Sequence, residues 1–384
     1  MDLNLPIQSV NDGISSKTRK VIALGFATQG LGYATVMTAL PSIKGRFRLS
    51  DDQLSLIILG VCIAAALGSV LADRTAVKFG SRLAVVTGFL LEAVGVAIAA
   101  CSPNVMLMIA SFLLYGLGLG CLDAALNMQA VMMEQRLGKS VFGGFFACYT
   151  AAAFLGALIM SATVSTSLGA TAALCIAAVI ALITSQLSRH WLFQQKQSSG
   201  LSSPQKAVIP YRQLLIFGMI ILIIFTVDSA ISTWSSIYLK DVLASSATVA
   251  PLGYAAYQIG ILLTRLGLDY LLQFTWVALV TLLIGAFGCV LSGISHSLVT
   301  VILGFALAGV AVGALVPLTY SAVGRLDETR RDEIIARVNI FNYGGAVAGA
   351  VMIGLLATPF GYAPSFIGLA FALLSIIYLR KRLL

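Results

Sequence analysis

Long apolar segments separated by short polar breaks run along the whole 384-residue chain. A segment needs about 20 apolar residues in helical form to cross a hydrocarbon layer that is about 30 Å thick. Because such a layer contains no water, each segment must satisfy its own backbone hydrogen bonds, and the pattern therefore predicts helices. We predict twelve spans, at residues 20–43, 53–72, 83–101, 104–132, 141–164, 168–188, 213–239, 247–263, 273–294, 297–322, 335–358 and 362–379.

The composition agrees with a chain that lies mostly in lipid. Hydrophobic residues make up 59% of the sequence and charged residues only 10%, whereas a typical soluble domain is about 25% charged. A water-soluble protein of this length could not cover so much apolar surface with so few charges. The fold class that follows is an all-α membrane protein with twelve transmembrane helices.

The net charge of +9 would suit a nucleic-acid partner, but the basic residues are sorted by the side of the membrane. If the amino terminus is cytoplasmic, all but four of the 24 Lys and Arg residues fall on cytoplasmic segments. The four exceptions are Lys44, Arg46, Arg48 and Lys240. This bias is the positive-inside rule. It predicts a multi-pass protein of the bacterial inner (cytoplasmic) membrane, with both termini in the cytoplasm and with lipid rather than nucleic acid as its partner.

The longest polar connection, from Ser188 to Tyr211, lies near the midpoint of the chain. It predicts an N-terminal six-helix bundle (1–189), a cytoplasmic linker (190–212) and a C-terminal six-helix bundle (213–384). The polar pattern after the first span recurs after the seventh, including an aspartate 196 residues beyond its first-half counterpart. Such parallel repeats are typical of a transporter fold with two pseudo-symmetric halves and the substrate bound between them.

The segment between the second and third predicted spans runs from Gly68 through Asp73-Arg74 to a further glycine and basic residues ending at Arg82. It resembles the loop signature of the major facilitator superfamily, and with the span count, linker and repeat the resemblance covers the whole chain. It implies a cytoplasmic gate formed by Gly68, Asp73, Arg74 and Arg82. Asp73 would face the amino end of the eleventh helix, where the helix dipole favours a carboxylate. The arginines would pair with acids near that end, namely Asp327, Glu328, Asp332 or Glu333.

The fourth span contains Gly116, Gly118 and Gly120, then Asp123 and, four residues later, Asn127. A glycine run followed by an acid, Ala-Ala and Asn resembles the fourth helix of the fucose–proton symporter branch of the same superfamily. In that branch the acid takes the proton and contacts the sugar. The resemblance implies the same two roles for Asp123, with Asn127 on the same helix face.

Three carboxylates fall well inside predicted spans: Glu92, Asp123 and Asp228. A charge at the middle of a bilayer costs about 2.5–3.5 kcal/mol on insertion scales, so each needs a partner, a water-filled cavity or a proton. We expect no Lys, Arg or His at comparable depth, and burial without a cation favours the protonated carboxyl group. Asp123 and Asp228 are therefore the predicted proton-coupling residues.

For two of the three carboxylates the sequence leaves alternatives. Asp228 is expected to line either the transport cavity or an outer gate, with Trp234 and Tyr238 after it as interface anchors. Glu92 shares a helix face with small residues, which is typical of close helix packing. It is either a protonated structural residue bonded to a neighbouring helix or a participant in transport.

The candidate substrate-binding residues are polar side chains that fall inside predicted spans. Gln29 and Tyr33 lie one turn apart on the first span, and Asn339 and Asn342 lie three residues apart on the eleventh. Amides at such positions can bind hydroxyl groups, or they can bridge helices. The full set is Gln29, Tyr33, Asp123, Asn127, Tyr257, Gln258, Tyr320, Asn339 and Asn342.

These observations predict a secondary active transporter that moves a small solute by alternating access and is coupled to protons. A cavity with carboxylates and amides but no buried cation favours a sugar or another neutral hydroxylated molecule over an anion. Two alternatives stay open: an exporter or antiporter of drugs or metabolites, and a solute sensor that does not transport. The fifth span lacks the proline of the superfamily's antiporter signature at 151–158, which weighs against the exporter.

We do not predict an enzyme. The two histidines, His190 and His296, fall in predicted loops and cannot form a buried metal pair. The sequence also contains no nucleophile motif and no pair of catalytic acids. We predict no cofactor and no metal, and a monomer that works with its substrate, protons and the bilayer.

Overall fold

The computed structural model describes residues 7–138, 141–194, 211–271, 276–326 and 331–381. All regular secondary structure within these ranges is helical, as the apolar segments predict. The helices are α1 (Ile7–Phe47), α2 (Asp51–Phe79), α3 (Ser81–Cys101), α4 (Val105–Leu137), α5 (Phe142–Thr163), α6 (Ala170–Trp191), α7 (Tyr211–Asp241), α8 (Pro251–Leu271), α9 (Val277–Ile294), α10 (Leu298–Gly324), α11 (Arg331–Phe360) and α12 (Tyr362–Lys381). The predicted all-α fold with twelve helices is confirmed for the described chain.

Among the described helices, all except α8 are long and apolar enough to cross a membrane. The helix α8 continues through Arg265, where the predicted span was interrupted. The helix α2 continues to Phe79, so Asp73 and Arg74 lie on its last turns and not in a loop. Charged residues do not have to end a helix there, because their side chains can extend to water while the backbone stays helical. The turn into α3 is made by Gly80, whose φ of 97° suits glycine.

Local side chains cap the beginnings of two helices. At the start of α2 the Gln53 N–H donates to Ser50 Oγ at 3.2 Å, and the Ser50 N–H donates to Gln53 Oε1 at 3.0 Å. This reciprocal pair is a capping box. At the start of α4, Asn104 accepts a hydrogen bond from the Leu107 N–H at 2.9 Å. These bonds satisfy backbone groups that have no partner inside the helix.

Close contacts divide the chain into two compact units. Unit 1 contains α3, α4 and nearly all of α6, with α1 up to Tyr33, α2 from Ile63 and α5 up to Ala153. Unit 2 contains α7 to α12 together with the later part of α1, the first part of α2 and the end of α5. The predicted division into bundles at the linker stays a prediction, and residues 195–210 of that linker lie outside the described chain.

In unit 1 the glycine run of α4 brings three helices into backbone contact. A Cβ atom at Gly118 would lie 2.5 Å from the backbone nitrogen of Glu92 on α3. One at Gly120 would lie 1.8 Å from the carbonyl oxygen of Ala65 on α2, and one at Gly68 of α2 would lie 2.1 Å from a carbonyl oxygen of α4. Small residues let helices pack closely in lipid, where no hydrophobic effect drives their association. The glycine run therefore has a packing role in this fold.

In unit 2, α7 packs along α11 and buries the aromatic side chains near its end. Trp234 and Tyr238, which we predicted as interface anchors, are 0% and 2% exposed, so that prediction is wrong. The Trp234 indole N–H donates to the Ala350 carbonyl at 2.8 Å, and the Tyr238 hydroxyl donates to the Ser292 carbonyl at 3.1 Å. Because their polar atoms bond to helix carbonyls, these side chains do not need the headgroup region.

We expect Gly120→Ala to destabilise the protein by about 1–3 kcal/mol, because the added methyl group would overlap a backbone carbonyl of α2. The measurement is the melting temperature of the purified protein in detergent. Gly368→Ala in α12 is the matched control, since a Cβ atom there meets nothing within 4 Å. Equal melting temperatures for the two variants would contradict the close α2–α4 contact.

Candidate functional site

Asp123, a predicted proton-coupling residue, lies near the middle of the 33-residue α4, yet its side chain is exposed. Its Oδ1 accepts a hydrogen bond from the Nε2 of Gln29 on α1, and Gln29 is buried. Within the described chain no cationic group pairs with this carboxyl group. Asp123 thus combines a bond to a neighbouring helix with a face that is open to a small molecule.

Contacts on either side of Gln29 hold this part of α1 in place. A Cβ atom at Gly30 would lie 2.2 Å from the carbonyl oxygen of Tyr149 on α5, so the two helices touch at their backbones. The hydroxyl groups of Thr28 and Thr184 share a hydrogen bond of 2.8 Å between α1 and α6. With α1 fixed against α5 and α6, the Gln29 amide is presented to α4.

Two further predicted ligand residues lie one helical turn from this pair. Asn127 is half-buried, and its buried Oδ1 has no hydrogen-bond partner among the residues that the structure describes. Tyr33 is also half-buried. We call Gln29, Asp123 and Asn127 the polar cluster of unit 1. It offers one carboxyl group and two amide groups.

Glu92 lies on α3, interacts electrostatically with Asp123, and is 1% exposed. Neither of its carboxyl oxygens has a hydrogen-bond partner within the described ranges. A Cβ atom at Gly32 of α1 would lie 2.3 Å from Glu92 Oε1, so the carboxyl group occupies space that only glycine leaves open. Of the two alternatives for Glu92, the hydrogen bond to a neighbouring helix is therefore not found among the described residues, since Gly32 has no side chain that could form one.

In unit 2, Asp228 lies near the middle of α7 and accepts a hydrogen bond from the Tyr257 hydroxyl of α8 at 2.6 Å. Tyr257 is fully buried. Arg265, two turns further along α8, interacts electrostatically with both residues. The expectation that no basic residue reaches the mid-span carboxylates is therefore wrong for Asp228. A long side chain on a helix points back towards the amino end, which brings the Arg265 guanidinium towards Tyr257.

The remaining predicted ligand residues of unit 2 have different surroundings. Gln258 is buried, and its Nε2 donates to the Tyr254 hydroxyl at 2.7 Å, so this amide is engaged within the protein. Tyr320 is half-buried and packs against apolar side chains of α7, α10 and α11. Asn342 is half-buried, and the side chain of Asn339 lies outside what the structure describes. Among the described residues, no group of three or more His, Cys, Asp or Glu side chains could hold a metal ion.

The predicted cytoplasmic gate residues lie at one end of unit 1, except Gly68, which is one of the α2–α4 packing glycines. Asp73 and Arg74 are exposed on the last turns of α2. Arg82 donates to the Arg189 carbonyl at 3.2 Å, at the carboxyl end of α6, where a cation suits the helix dipole. The expected acidic partners lie outside the described residues or side chains: Asp327, Glu328, Asp332 and Glu333. The gate stays a prediction.

Sequence reasoning missed a charged cluster at the end of α1. Lys44 Nζ lies 2.5 Å from carboxylate oxygens of both Asp51 and Asp241, and the Thr358 hydroxyl donates to Asp52 at 2.6 Å. We call these residues the Lys44 cluster. All belong to unit 2, although they come from α1, α2, α7 and α11. The signal available in the sequence was that Lys44 is one of the four basic residues that the predicted orientation places on the outer side.

We expect Tyr257→Phe to lower stability by about 1 kcal/mol, because it removes one hydrogen bond to a carboxyl group and leaves the ring packing intact. The measurement is the unfolding of the purified protein in mixed micelles, followed by circular dichroism. Tyr211→Phe, at an exposed position where α7 begins, is the matched control and should leave the curve unchanged. The same effect from both substitutions would argue against the Tyr257–Asp228 bond.

We expect Lys44→Met to lower stability by about 1 kcal/mol at low salt, because Asp51 and Asp241 lose the cation they share. The difference from the unmodified protein should shrink as salt is added, since salt screens the repulsion between the two carboxylates. Thermal unfolding at several salt concentrations measures both effects. Arg48→Met removes an exposed cation nearby and serves as the control. A salt-independent loss, or an equal loss in the control, would count against the cluster.

The chain is similar to known transporters over nearly its whole length. It matches the model of the Major Facilitator Superfamily over residues 22–275. It is 25% identical over 363 residues to an uncharacterized MFS-type transporter of Yersinia pestis, with 93% of both chains covered. It is 27% identical over 344 residues to an uncharacterized transporter of Sinorhizobium fredii, with 88% of this chain and 90% of that one covered.

The fold is also similar to a solved structure, that of the nucleoside transporter NupG. The TM-score is 0.72 over 96% of this chain and 99% of that one, at 14% sequence identity. At this identity the likeness concerns the fold alone. The family model, the relatives and the twelve-helix architecture agree, and the chain belongs to the major facilitator superfamily (MFS) of transporters.

Proposed function

We propose that this MFS transporter couples the movement of a small neutral hydroxylated solute, such as a sugar, to protons that bind at Asp123. One observation carries the proposal: Asp123 is an exposed carboxyl group near the middle of a membrane-spanning helix, bonded to the Gln29 amide and to no cation in the described chain. A charge at this depth is costly in lipid, by about 2.5–3.5 kcal/mol. A carboxyl group that water can reach can bind and release a proton there, and its charge then changes during transport.

Asp123 suits this role better than Asp228, the other predicted proton-coupling residue. Asp228 already has a hydroxyl donor in Tyr257 and a cation within electrostatic reach in Arg265. Both partners stabilise the charged form of the Asp228 carboxyl group inside the membrane, whereas Asp123 has only an amide. We therefore assign proton coupling to Asp123, and to Asp228 the positioning of α7 against α8.

The chemistry of the polar cluster of unit 1 favours a neutral hydroxylated solute. Asp123 accepts hydrogen bonds, and the Oδ1 of Asn127 lacks a donor among the described residues. Hydroxyl groups of a solute can donate to both of them. No cation belongs to the cluster to hold an anionic group. The resemblance of the fourth helix to the fucose–proton symporter branch supports the same class of solute.

We propose further that the protein lies in the bacterial inner membrane with both termini in the cytoplasm and works by alternating access. The positive-inside distribution of Lys and Arg supports this orientation. In this orientation the Lys44 cluster lies on the outer side, and the residues of the predicted gate at Asp73 lie on the cytoplasmic side. Ionic contacts between exposed side chains can break and re-form. A protein that opens alternately to the two sides of the membrane needs such reversible contacts at both ends.

Identification of the solute comes first. We expect sugars, polyols or nucleosides to raise the melting temperature of the purified protein, because a ligand that binds the folded state stabilises it by mass action. Anions of similar size, such as sugar phosphates, are the matched comparison. Stabilisation by the anions alone would contradict the proposed class of solute.

With a stabilising solute in hand, we expect Asp123→Asn to abolish its uphill accumulation in proteoliposomes driven by an inward proton gradient. Counterflow exchange should persist, because it needs no net proton movement and asparagine keeps the size of the side chain and a partner for Gln29. Asp12→Asn, a matched change near the amino terminus, should retain both activities. Undiminished uphill accumulation in Asp123→Asn would overturn the proton role. If the unmodified protein accumulates the solute only when the proton gradient is directed outward, the protein is an exporter.

A further inference from the structure

One ionisable group of unit 1 has no role in the transport cycle described so far. Glu92 is 1% exposed, and neither carboxyl oxygen has a hydrogen-bond partner in the described parts of the chain. Buried polar atoms are almost always bonded, and a buried carboxyl group without a partner is costly. Packing alone does not account for it, since an apolar side chain of similar size would fill the same space without that cost.

The surroundings of Glu92 leave room for a carboxyl group and little else. A Cβ atom at Gly32 of α1 would lie 2.3 Å from Oε1, so a larger residue there would displace the carboxyl group. On α4, Gly118 lets the helix backbone lie directly against Glu92. The carboxyl group of Glu92 therefore lies against α1, and the backbone of Glu92 lies against α4. These are the two helices that carry Gln29 and Asp123.

Asp123 is the charged group that acts on Glu92. Within the described chain it is the titratable side chain with which Glu92 interacts electrostatically. The backbone of Glu92 touches α4 at Gly118. Asp123 lies five residues further along α4, which is about 7.5 Å along the helix axis. The other titratable side chains in the apolar parts of the helices next to α3 are Tyr33 on α1, Tyr115 and Cys121 on α4, and Cys175 on α6. Phenols and thiols of this kind are neutral near pH 7.

We propose that Glu92 is a second proton-binding group of the transport cycle, and that Glu92 and Asp123 bind their protons as a coupled pair. This inference rests on the proposed proton role of Asp123. Two carboxylates in a region of low dielectric repel each other, so a pair of this kind ionises in two separate steps. Asp123 is exposed and exchanges protons with water, whereas the buried Glu92 keeps or yields its proton according to the charge on Asp123. A solute that binds at Asp123 thereby also changes the proton affinity of Glu92.

The test needs no substrate. The purified protein in lipid is titrated from about pH 4 to about pH 10. Carboxyl groups in water titrate at the lower end of this range, and buried ones can titrate at higher pH. Infrared difference spectra record the C=O stretching band of protonated carboxyl groups. Isotope-labelled glutamate separates the Glu92 band from those of the aspartates, because the chain contains only four glutamates. Loss of a labelled band in Glu92→Gln then identifies the band of Glu92.

We expect the Glu92 band to titrate within this range, with a midpoint about one pH unit lower in Asp123→Asn than in the unmodified protein. The midpoint should move to lower pH because a negative charge on Asp123 makes proton binding at Glu92 more favourable, and the substitution removes that charge. The size follows from Coulomb's law for unit charges about 8–10 Å apart at an effective dielectric constant of about 20.

Several outcomes would overturn the inference. A Glu92 band that stays fully protonated throughout the titration would make Glu92 a neutral packing residue, and a midpoint that does not depend on Asp123 would exclude the coupled pair. Failure of the proposed function looks different, since Asp123→Asn would then remove no titrating aspartate band, whatever Glu92 does. If Glu92→Gln does not fold, Glu92→Asp assigns the band instead, because it removes Glu92 from the labelled glutamates.

Discussion

The close approach of helix backbones at glycine residues is the constraint on which the rest of unit 1 depends. The helix α4 lies against α3 at Gly118 and against α2 at Gly120, and α1 lies against α5 at Gly30. Helices in lipid gain little from burying apolar side chains, so close packing and hydrogen bonds between helices hold them together. Because these crossings fix the helices, a carboxyl group can be left exposed at Asp123 without loosening the unit. At a further glycine, Gly32 of α1, the missing side chain leaves the space that the Glu92 carboxyl group occupies.

Three carboxyl groups inside spans have three different environments, and the environment decides what each can do. Asp228 has a hydroxyl donor and a nearby guanidinium, Asp123 has an amide and an open face, and Glu92 has no hydrogen-bond partner in the described chain. The three groups differ in their exposure to water and in the donors and charges that lie near them, and these are the factors that decide whether a carboxyl group is charged. A transporter needs such differences, since a group that changes its protonation must not be held permanently in one state.

Much of the fold could be predicted, because its signals are local in the sequence. Apolar segments of sufficient length indicated the helices, and the carboxylate on the fourth span was expected near the middle of its helix, where Asp123 lies. The errors concern side chains that reach across helices. Arg265 extends towards Asp228, and Trp234 is buried with a carbonyl partner on α11. The predictions for both residues used only their positions along the chain, which do not show how far a side chain reaches. The Lys44 cluster was missed for the same reason.

The sequence by itself determined that the protein is a helical membrane protein of about twelve spans, and it singled out the residues whose charge is costly in lipid. Those conclusions follow from hydropathy and from the free energy needed to place an isolated charge in lipid. Both depend on each residue and its neighbours along the chain. Only the tertiary structure decided which of these residues are bonded, which are open and which are buried without a partner. Hydrogen bonds and electrostatic interactions between helices act over a few ångströms in space. Residues such as Gln29 and Asp123, 94 positions apart in the chain, become neighbours only when the helices pack.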